Sequence, residues 1–388
     1  MTERAFYFPA VLIIGSGASE QVGEESRKLG ATKGLIVTDE VLSKLGLLDN
    51  IKRALSQAKI QFALYSGVFT EPTVEFVEEG LKAYRENGCD FLLAVGGGSA
   101  IDTAKAIAVM VTNKGSIEDY QGLNKIPEGG APLIAIPTTA GTGSEATRVT
   151  IIADTRRDVK MLLMSPFLIP QKAIVDPLLT LSMPRSLTAA TGIDALTHAI
   201  EAYVSVKAQP MSDIFCLSAI ELISGNLRQA WSNVNNIEAR EKTMLGALQG
   251  GIAFSNSSVA LVHGMSRPIG AYFHVPHGVS NAALLGVVTE FSLMGNPARY
   301  ARIAQAMGEN VENLTVLEAA DLAAESIKRL IKDIKIPSLR ELGVGKEELD
   351  KLAPKMAEDA IASGSPANNP RQATEEEIIE LYKLAYSP

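Results

Sequence analysis

The stretch F-L-L-A-V-G-G-G-S at 91–99 is the part of the chain that decides the fold. Five apolar residues run directly into three glycines and a serine, and the alanine-rich segment A-I-D-T-A-K-A-I-A-V-M follows at once. An uninterrupted apolar run is typical of a strand buried on both faces, and a glycine turn leading into a helix is typical of a parallel α/β unit. The sequence therefore predicts an α/β domain built around this strand.

The same alternation appears on both sides of that stretch. Strand-like runs lie at 34–38 and 62–66, each followed by a helical segment, and the run P-L-I-A-I-P lies at 132–137. Apolar strands that alternate with helices indicate a parallel sheet covered on both faces. We expect a Rossmann-like α/β domain over 1–183.

The pattern changes from about Pro184 onward. Helical periodicity dominates there, in segments such as D-I-F-C-L-S-A-I-E-L-I and E-A-A-D-L-A-A-E-S-I-K-R-L-I. A chain of 388 residues also favours two domains, at roughly 100 to 200 residues per domain. We predict an α/β domain over 1–183 and an all-helical domain over 184–388.

Composition narrows the classes of function. The net charge is −8 and no Lys/Arg cluster stands out, which argues against nucleic acid or an anionic membrane as partner. No apolar run approaches the roughly 20 residues of a spanning helix, and the N-terminus lacks the pattern of a secretion signal. Cys89 and Cys216 are isolated from each other, which fits a reducing cytoplasm. We expect a cytoplasmic enzyme or binding protein with a small-molecule partner.

Two glycine-rich stretches compete for a phosphate-binding role. The first, G-S-G-A-S-E at 15–20, half-matches the dinucleotide fingerprint, but its third glycine position is Glu20, whose carboxylate would face a pyrophosphate. We interpret it as a tight turn. The second, Gly96–Ser99, ends a buried strand and opens a helix, where free backbone N–H groups attract anions. A plain strand-to-helix turn is the alternative there.

Two further features support a nucleotide at this edge of the sheet. The stretch P-T-T-A-G-T-G-S-E at 137–145 also follows a strand and offers several hydroxyl donors. Asp39 directly follows the strand at 34–38, in the place of the acid that binds a ribose 2′-OH. Since a carboxylate there would repel the 2′-phosphate of NADP, the sequence favours NAD.

A candidate metal site begins with Asp194 and His198 in G-I-D-A-L-T-H. Residues four apart lie on one face of a helix, so this carboxylate and imidazole can bind one divalent cation. The other three of the four histidines are His263, His274 and His277. A solvated pair, or a hydrogen bond that supports the helix, is the alternative reading of Asp194 and His198.

The chain resembles the iron-dependent (group III) alcohol dehydrogenase family over essentially its whole length. The matching stretches are G-G-G-S-A-I-D-T-A-K, P-T-T-A-G-T-G-S-E, T-A-A-T-G-I-D-A-L-T-H-A-I-E-A-Y, V-H-G-M, V-P-H-G-V-S-N-A and N-P-R. The resemblance implies a dinucleotide-binding domain at 1–183, a metal-binding helical domain at 184–388 (the dehydroquinate synthase-like fold), and a cofactor cleft between them. A homodimer is the family's common pattern, so we expect a homodimer or a higher homo-oligomer.

The resemblance also assigns residues. It implies four metal ligands, namely Asp194, His198, His263 and His277, and cofactor contacts at Asp39, Gly97, Gly98, Ser99, Thr138, Thr139 and Lys160. A solvated lysine is the alternative for Lys160. The family metal is iron(II), and zinc suits the same ligands almost equally. The implied reaction is hydride transfer between an alcohol, or a hydroxy acid, and NAD, with the cation as Lewis acid.

The chain departs from the family pattern at Arg267. Many members carry a histidine there, four residues after the third ligand, that is thought to help proton transfer. Arginine cannot shuttle a proton, so His274, a solvent chain or the cofactor ribose would replace it. Arg267 could instead bind an acidic group of the substrate, or pair with a neighbouring acid. The candidate catalytic residues are His277, His274 and Arg267, although His274 is also typical of a hydrogen-bonded, cleft-lining histidine.

Rival functions remain at the sequence level. A lyase like dehydroquinate synthase uses NAD and a metal, but it has a glutamate where Asp194 stands. Glycerol dehydrogenase is more similar to this chain than the lyase is, although it lacks one of the histidine metal ligands present here. The full ligand set disfavours maleylacetate reductase, which is metal-independent, and a non-catalytic protein that senses NAD or metal. Glu201 lies seven residues after Asp194 and so on roughly the same helix face. Two roles are open for it, the orientation of a metal ligand and a purely structural one.

Overall fold

The computed structural model describes residues 3–157 and 159–386. The chain consists of two compact units, Met1–Ser182 and Met183–Pro388. The predicted fold class is confirmed, because the first unit contains a parallel sheet with helices and the described part of the second unit is helical.

The first unit is organised by a six-stranded parallel sheet. The described strands of the chain are β1 (Val11–Ile14), β2 (Lys33–Val37), β3 (Gln61–Tyr65), β4 (Phe91–Gly96), β5 (Gly122–Leu123), β6 (Leu133–Pro137), β7 (Val149–Asp154), β8 (Val159–Met164) and β9 (Lys172–Val175). In spatial order the strands of the six-stranded sheet are β1, β9, β6, β4, β2 and β3.

Helices cover both faces of that sheet. They are α1 (Val22–Lys28), α2 (Glu40–Lys44), α3 (Asp49–Gln57), α4 (Val74–Glu86) and α5 (Gly98–Thr112). Since side chains alternate along a strand, Leu92 of β4 packs into one apolar core with Ile107 of α5. Its neighbour Leu93 packs into the other core with Ile51 of α3. Burial on both faces explains why β4 reads as a continuous apolar run.

A small second sheet was not expected from the sequence. The strands β5, β8 and β7 form it, with β7 antiparallel to β8 and β5 parallel to β8. In V-T-I-I-A-D the side chains at even positions of β7 are buried, and two of them, Thr150 and Asp154, are polar. Because two of the three buried residues are polar, apolar periodicity does not predict this strand.

The second unit contains nine helices among its described residues. These are α6 (Arg185–Val204), α7 (Pro210–Ser232), α8 (Ile237–Asn256), α9 (Leu261–Phe273), α10 (His277–Ser292), α11 (Pro297–Ala306), α12 (Val316–Asp333), α13 (Lys346–Ala362) and α14 (Glu375–Ala385). The helix α6 is buried over most of its surface and packs against α7, α8 and α10. A Cβ on Gly192 would lie 2.3 Å from Leu227 of α7, so this glycine permits the close approach of the two helices.

One helical stretch among the described residues, His277–Gly295, is long and apolar enough to cross a membrane by composition alone. This differs from the sequence-based expectation that no run approaches that length. Since 67% of that stretch is buried inside the fold, packing accounts for its apolar composition. The pair Ile237–Asn256 and Leu261–Phe273, bent by 103°, passes the same test only when taken as one span.

Candidate metal centre and cofactor loops

The buried helix α6 carries Asp194 and His198 on one face. Both side chains are almost fully buried, as is that of His263 near the start of α9, whereas His277 opens α10 and is exposed. The contacts of α6 with α9 and α10 bring residues distant in sequence to one place. Three of the four predicted ligands offer donor atoms that all lie within 4.8 Å of one another, namely Asp194, His263 and His277.

The spacing of these donor atoms fits a single cation. The Oδ1 atom of Asp194 lies 3.6 Å from Nε2 of His263 and 3.6 Å from Nε2 of His277. Metal–ligand bonds of roughly 2.1 Å in tetrahedral geometry separate neighbouring ligand atoms by about 3.4 Å. The observed separations are close to that value. Imidazole nitrogen with carboxylate oxygen is also a donor set that iron(II) and zinc accept.

His198 lies beside this trio. Its ring stacks on His263 with centroids 4.5 Å apart and on Phe254 with centroids 4.3 Å apart. Burial alone would raise the pKa of Asp194, but the charges of His198 and His277 outweigh burial and lower the pKa. The stack holds the His198 ring close enough to act on Asp194, although its nitrogens are not among the three mutually close donor atoms.

Glu201 holds His263 from the side opposite the other donors. Its Oε2 atom lies 2.6 Å from Nδ1 of His263, and its Oε1 atom accepts a 2.6 Å bond from the backbone N–H of Val262. A carboxylate on Nδ1 favours the tautomer in which Nε2 has a free lone pair. Burial alone would lower the pKa of His263, but Glu201 and Asp194 raise it to about 9. The sequence left the role of Glu201 open, because seven-residue spacing shows its helix face but not its partner.

Asn281 was not singled out in the sequence. It lies four residues after His277 on α10, and its Nδ2 atom donates a 2.7 Å hydrogen bond to Oδ1 of Asp194. The same nitrogen is 3.4 Å from Nε2 of His263 and 3.3 Å from Nε2 of His277. Its spacing from His277 was the available signal, since positions four apart share a helix face.

Arg267 and His274 lie on and beyond α9. Arg267 comes one turn after His263, half-buried, and its side chain has no hydrogen bond or ion pair to any residue of 3–157 or 159–386. Burial lowers the pKa of Arg267, and the nearby charge of Glu201 opposes that shift. His274 ends α9 in the left-handed conformation, with φ of 55°, and is exposed. The structure does not bring His274 into the trio of donors.

In the first unit, the glycine turn of 96–99 opens α5 as expected. Gly97 is the N-cap residue, and the first-turn N–H groups of α5 have no side-chain acceptor among residues 3–157 and 159–386. Gly97, Gly98 and Ser99 are each half-buried. An uncapped helix N-terminus whose glycine backbone is partly accessible is the arrangement that binds a phosphate.

The hydroxyl-rich loop lies directly beside this turn. It leaves β6, which pairs with β4 so that Gly96 is opposite Pro137, and the N–H of Thr138 donates a 2.9 Å bond to the Gly96 carbonyl. A Cβ on Gly97 would lie 3.4 Å from Thr139. Thr138 and Thr139 are therefore at the same edge of the sheet as the glycine turn.

The hydrogen-bond donors of the turn at 15–20 are already bound to an acceptor of the same chain. The N–H groups of Gly17 and Ser19 and the Ser19 hydroxyl all donate to the carboxylate of Asp176. An internal carboxylate that takes these donors competes with any phosphate. The geometry supports the interpretation of this stretch as a tight turn.

Asp39 and Lys160 are placed differently from each other. Asp39 is the N-cap of α2 and accepts a 2.8 Å bond from the N–H of Leu42 through Oδ1, at the end of β2. Lys160 lies in the small sheet on β8, exposed, with its Nζ atom 2.5 Å from a carboxylate oxygen of Glu71. Asp39 shares the edge of the large sheet with the glycine turn, whereas Lys160 belongs to a different sheet.

Two family models match the chain, "Iron-containing alcohol dehydrogenase" over 9–177 and "Fe-containing alcohol dehydrogenase family, C-terminal" over 188–386. The 1,3-propanediol dehydrogenase of Citrobacter freundii is 40% identical, with 100% of both chains covered. A crystal structure of 1,3-propanediol oxidoreductase superposes with a TM-score of 0.96 at 40% identity, covering 99% of this chain and 100% of that one. The sulfoacetaldehyde reductase of Bifidobacterium kashiwanohense in complex with NAD+ superposes with a TM-score of 0.90 at 28% identity, covering 100% of each.

Proposed function

This chain belongs to the iron-containing alcohol dehydrogenase family, and we propose that it is a metal-dependent, NAD-linked dehydrogenase. Its reaction would move a hydride between an alcohol and its aldehyde or ketone. The broader activity, oxidoreduction of alcohols, is the one named for relatives that match the whole chain. The observation that carries the metal dependence is the separation of 3.6 Å between Asp194 Oδ1 and Nε2 of both His263 and His277.

Asp194, His198, His263 and His277 would hold the cation. Three imidazoles and one carboxylate leave a divalent cation with a net charge near +1, and in that state it supplies Lewis acidity to a substrate oxygen. The side chain of His277 is exposed, so a small molecule would have access to the cation from the side of His277. Glu201 orients His263 so that its Nε2 atom faces Asp194. Iron(II) is the ion that we propose from the family, with zinc as the alternative.

NAD would bind on the first unit. The uncapped start of α5 at Gly97, Gly98 and Ser99 offers N–H donors to the pyrophosphate, and Thr138 and Thr139 offer hydroxyls beside it. Asp39 caps α2 with one oxygen, which leaves the other for a ribose hydroxyl. The NAD+ complex of a similar structure supports the choice of cofactor. Lys160 has the weakest support, because it is paired with Glu71 in the small sheet.

Proton transfer falls to groups other than Arg267. A guanidinium stays protonated at any working pH, so it can neither accept nor release the hydroxyl proton. His274 is exposed and precedes His277 by three residues, and unlike the equally exposed His277 it is not among the proposed metal ligands. We assign proton exchange with solvent to His274.

Arg267 supports a finer proposal about the substrate. A half-buried guanidinium that makes no ion pair with a described residue is costly unless a ligand supplies an anion. The charge of Glu201 acts on Arg267, but the Glu201 carboxylate already binds the N–H of Val262 and the His263 ring, which disfavours the alternative in which Arg267 pairs with a neighbouring acid. Sulfoacetaldehyde, in the name of one similar structure, is an aldehyde that carries a sulfonate. We propose an alcohol or aldehyde with a carboxylate, sulfonate or phosphate group as the preferred substrate.

Two further properties are part of the proposal. The chain would work in a reducing cytoplasm, since Cys89 and Cys216 are both buried and unbridged. It would do so as a homodimer or a higher homo-oligomer, the common pattern of its family. Sedimentation of the purified protein measures the oligomeric state, and a monomer would overturn that part.

Anaerobic reconstitution tests the proposed activity. Metal-free protein would receive iron(II) or zinc, and NADH oxidation would be followed with neutral aldehydes and with matched aldehydes that carry an acidic group. We expect turnover that chelation abolishes and fresh metal restores. Absence of metal-dependent turnover with every carbonyl compound would overturn the dehydrogenase proposal.

The Arg267→His variant tests the substrate class. It restores the family's usual residue and removes the fixed positive charge, so kcat/KM for acidic aldehydes should fall by roughly 10- to 100-fold relative to neutral ones. An unchanged preference would refute anion recognition by Arg267 while leaving the dehydrogenase activity standing.

A further inference from the structure

Lys105 is a buried ammonium group to which the proposed reaction gives no role. It lies on α5 with its side chain fully buried, inside the D-T-A-K end of the stretch that begins with the glycine turn. Its Nζ atom donates to the hydroxyls of Ser144 and Thr147, at 3.1 Å and 2.8 Å, and to the Val149 carbonyl, at 2.9 Å. Three acceptors satisfy all three N–H bonds of the ammonium group.

Asp102 reinforces the same connection from the preceding turn of α5. Its carboxylate accepts hydrogen bonds from the Ser144 hydroxyl and, at 3.1 Å, from the N–H of Ile151. Its backbone carbonyl accepts a 3.0 Å bond from the Thr150 hydroxyl. The Asp102 carboxylate also lies 3.6 Å from the ammonium group of Lys105. The hydrogen bonds of both side chains, and of the Asp102 carbonyl, all join α5 to the segment 144–151.

The hydroxyl-rich loop 138–143 lies between that segment and the glycine turn. At its start, Thr138 is bonded to Gly96, and directly after its end, Ser144 is bonded to Lys105 and Asp102. Its middle packs on the turn, because a Cβ on Gly98 would lie 2.8 Å from Cγ2 of Thr142. The glycine turn and the hydroxyl-rich loop, which follow the neighbouring strands β4 and β6, are therefore one assembled surface.

We propose that Lys105 is a positioning residue for the dinucleotide: by fixing 144–149 to α5, it sets the hydroxyls of Thr138 and Thr139 against the uncapped start of that helix. This inference rests on the proposed binding of NAD to the first unit. Lys105 would not touch the cofactor. A loop that is already ordered loses little conformational entropy when it binds, so the connection raises affinity without adding a contact to the ligand.

The test compares Lys105→Met with the wild-type protein by titration with NADH, followed by fluorescence. We expect the Kd for NADH to rise by roughly tenfold or more, while kcat at saturating cofactor changes by less than about threefold, since only the positioning of the loop is lost. Hydrogen exchange of 138–147 in cofactor-free protein should accelerate. The Kd for zinc should stay unchanged, because all candidate ligands belong to the second unit.

Lys172→Met is the matched control. Lys172 is another buried lysine of the first unit; it donates to the Glu25 carboxylate at 2.6 Å and to the Glu25 carbonyl at 2.9 Å. It opens β9, so it lies at the amino end of a strand and away from the loops that follow β4 and β6. Its loss should destabilise the unit and leave the Kd for NADH within about twofold, because it makes no bond to 138–151.

Thr147→Val is a milder variant that removes one acceptor of Lys105, in case Lys105→Met does not fold. It should raise the Kd for NADH severalfold. The inference is overturned if neither variant weakens NADH binding, or if Lys172→Met weakens it as much as Lys105→Met. Wild-type protein that does not bind NADH at all would instead overturn the proposed cofactor.

Discussion

Glu201 is the residue that connects the architecture of the second unit to its chemistry. One carboxylate accepts from the N–H groups of Val262 and His263, in the first turn of α9, and from the His263 ring. The first N–H groups of a helix lack partners within the helix, so Glu201 of α6 caps α9 from a neighbouring helix. The position of His263 and the orientation of its ring thus depend on the same side chain.

Glu201→Gln should weaken metal binding by roughly 10- to 100-fold, the usual cost of losing a partner that orients a ligand. Glutamine has one acceptor oxygen and an NH₂ group, which would face an N–H donor. A competition titration with a zinc chelator measures the Kd. Glu290→Gln is the control, since Glu290 lies exposed on α10 and pairs with Lys328. Equal zinc affinities of the two variants would contradict this role for Glu201.

Glu145 should make the stability of the first unit depend on pH. Burial raises its pKa from 4.5 to about 7, against its own backbone hydrogen bond and the charge of Lys105. A raised carboxyl pKa means that the folded state binds the proton more tightly. This contribution to stability is complete below pH 4.5 and is lost as the pH rises through 7.

Glu145→Gln should therefore match wild type near pH 4.5 and exceed it at pH 8. The gain should be about 1 to 3 kcal/mol in the free energy of unfolding, from 1.36 kcal/mol for each pKa unit. Urea denaturation at both pH values measures it, with the exposed Glu347→Gln as control. A difference from wild type that is the same at both pH values would rule out the raised pKa as its cause.

At the scale of elements, the close approach of α6 and α10 determines how His277 meets Asp194. A Cβ on Gly278 would lie 2.3 Å from the carbonyl oxygen of Ala190, which is backbone and cannot move aside as a side chain can. The residue before this glycine is His277, whose Nε2 atom is 3.6 Å from Asp194. The glycine is thus required by helix packing and, through it, by the candidate metal centre.

Gly278→Ala should push α10 away from α6. We expect a loss of about 1 to 3 kcal/mol in the free energy of unfolding from overpacking, together with weaker zinc binding. Gly225→Ala on α7 is the matched control, because its Cβ would meet nothing within 4 Å. That variant should gain about 0.5 to 1 kcal/mol and bind zinc as wild type does. Zinc affinity that is unaffected in Gly278→Ala would show that this contact does not position His277.

The elements differ in how far the sequence alone predicts them. The strand β4 and the glycine turn were predictable, because burial on both faces leaves a continuous apolar run that ends in glycine. The strand β7 was not, since two of its three buried residues are polar: the Thr150 hydroxyl donates to Asp102 of α5, and Asp154 accepts from Arg157 in the turn after the strand. Periodicity records which face is buried. It does not record which distant group satisfies a buried polar side chain.

The same limit applies to the candidate site. The spacing of Asp194 and His198 on one helix shows a shared face, and the family resemblance supplied His263 and His277 as partners. Glu201 and Asn281 act across 62 and 87 residues of sequence, on His263 and Asp194 respectively. Their roles follow only from the packing of α9 and α10 against α6. Lys105 is similar, because its three acceptors lie 39 to 44 residues away.

At the scale of the whole molecule, the two chemistries are divided between the units. All four candidate metal ligands belong to Met183–Pro388, whereas the glycine turn, the hydroxyl loop and Asp39 belong to Met1–Ser182. A ligand that binds only the folded state stabilises what it binds, by about 2.7 kcal/mol at 100 times its Kd. Metal and cofactor should therefore protect different parts of the chain.

Hydrogen exchange with zinc alone and with NADH alone measures this division. Zinc should slow exchange in α6, α9 and α10, and NADH should slow it in the first turn of α5 and in 138–147. Asp194→Asn removes a negative ligand, so it should abolish the protection by zinc and keep the protection by NADH. Protection by zinc that falls mainly in the first unit would refute the assignment of the metal to α6, α9 and α10. NADH protection that disappears with Asp194→Asn would refute independent binding of the metal and the cofactor.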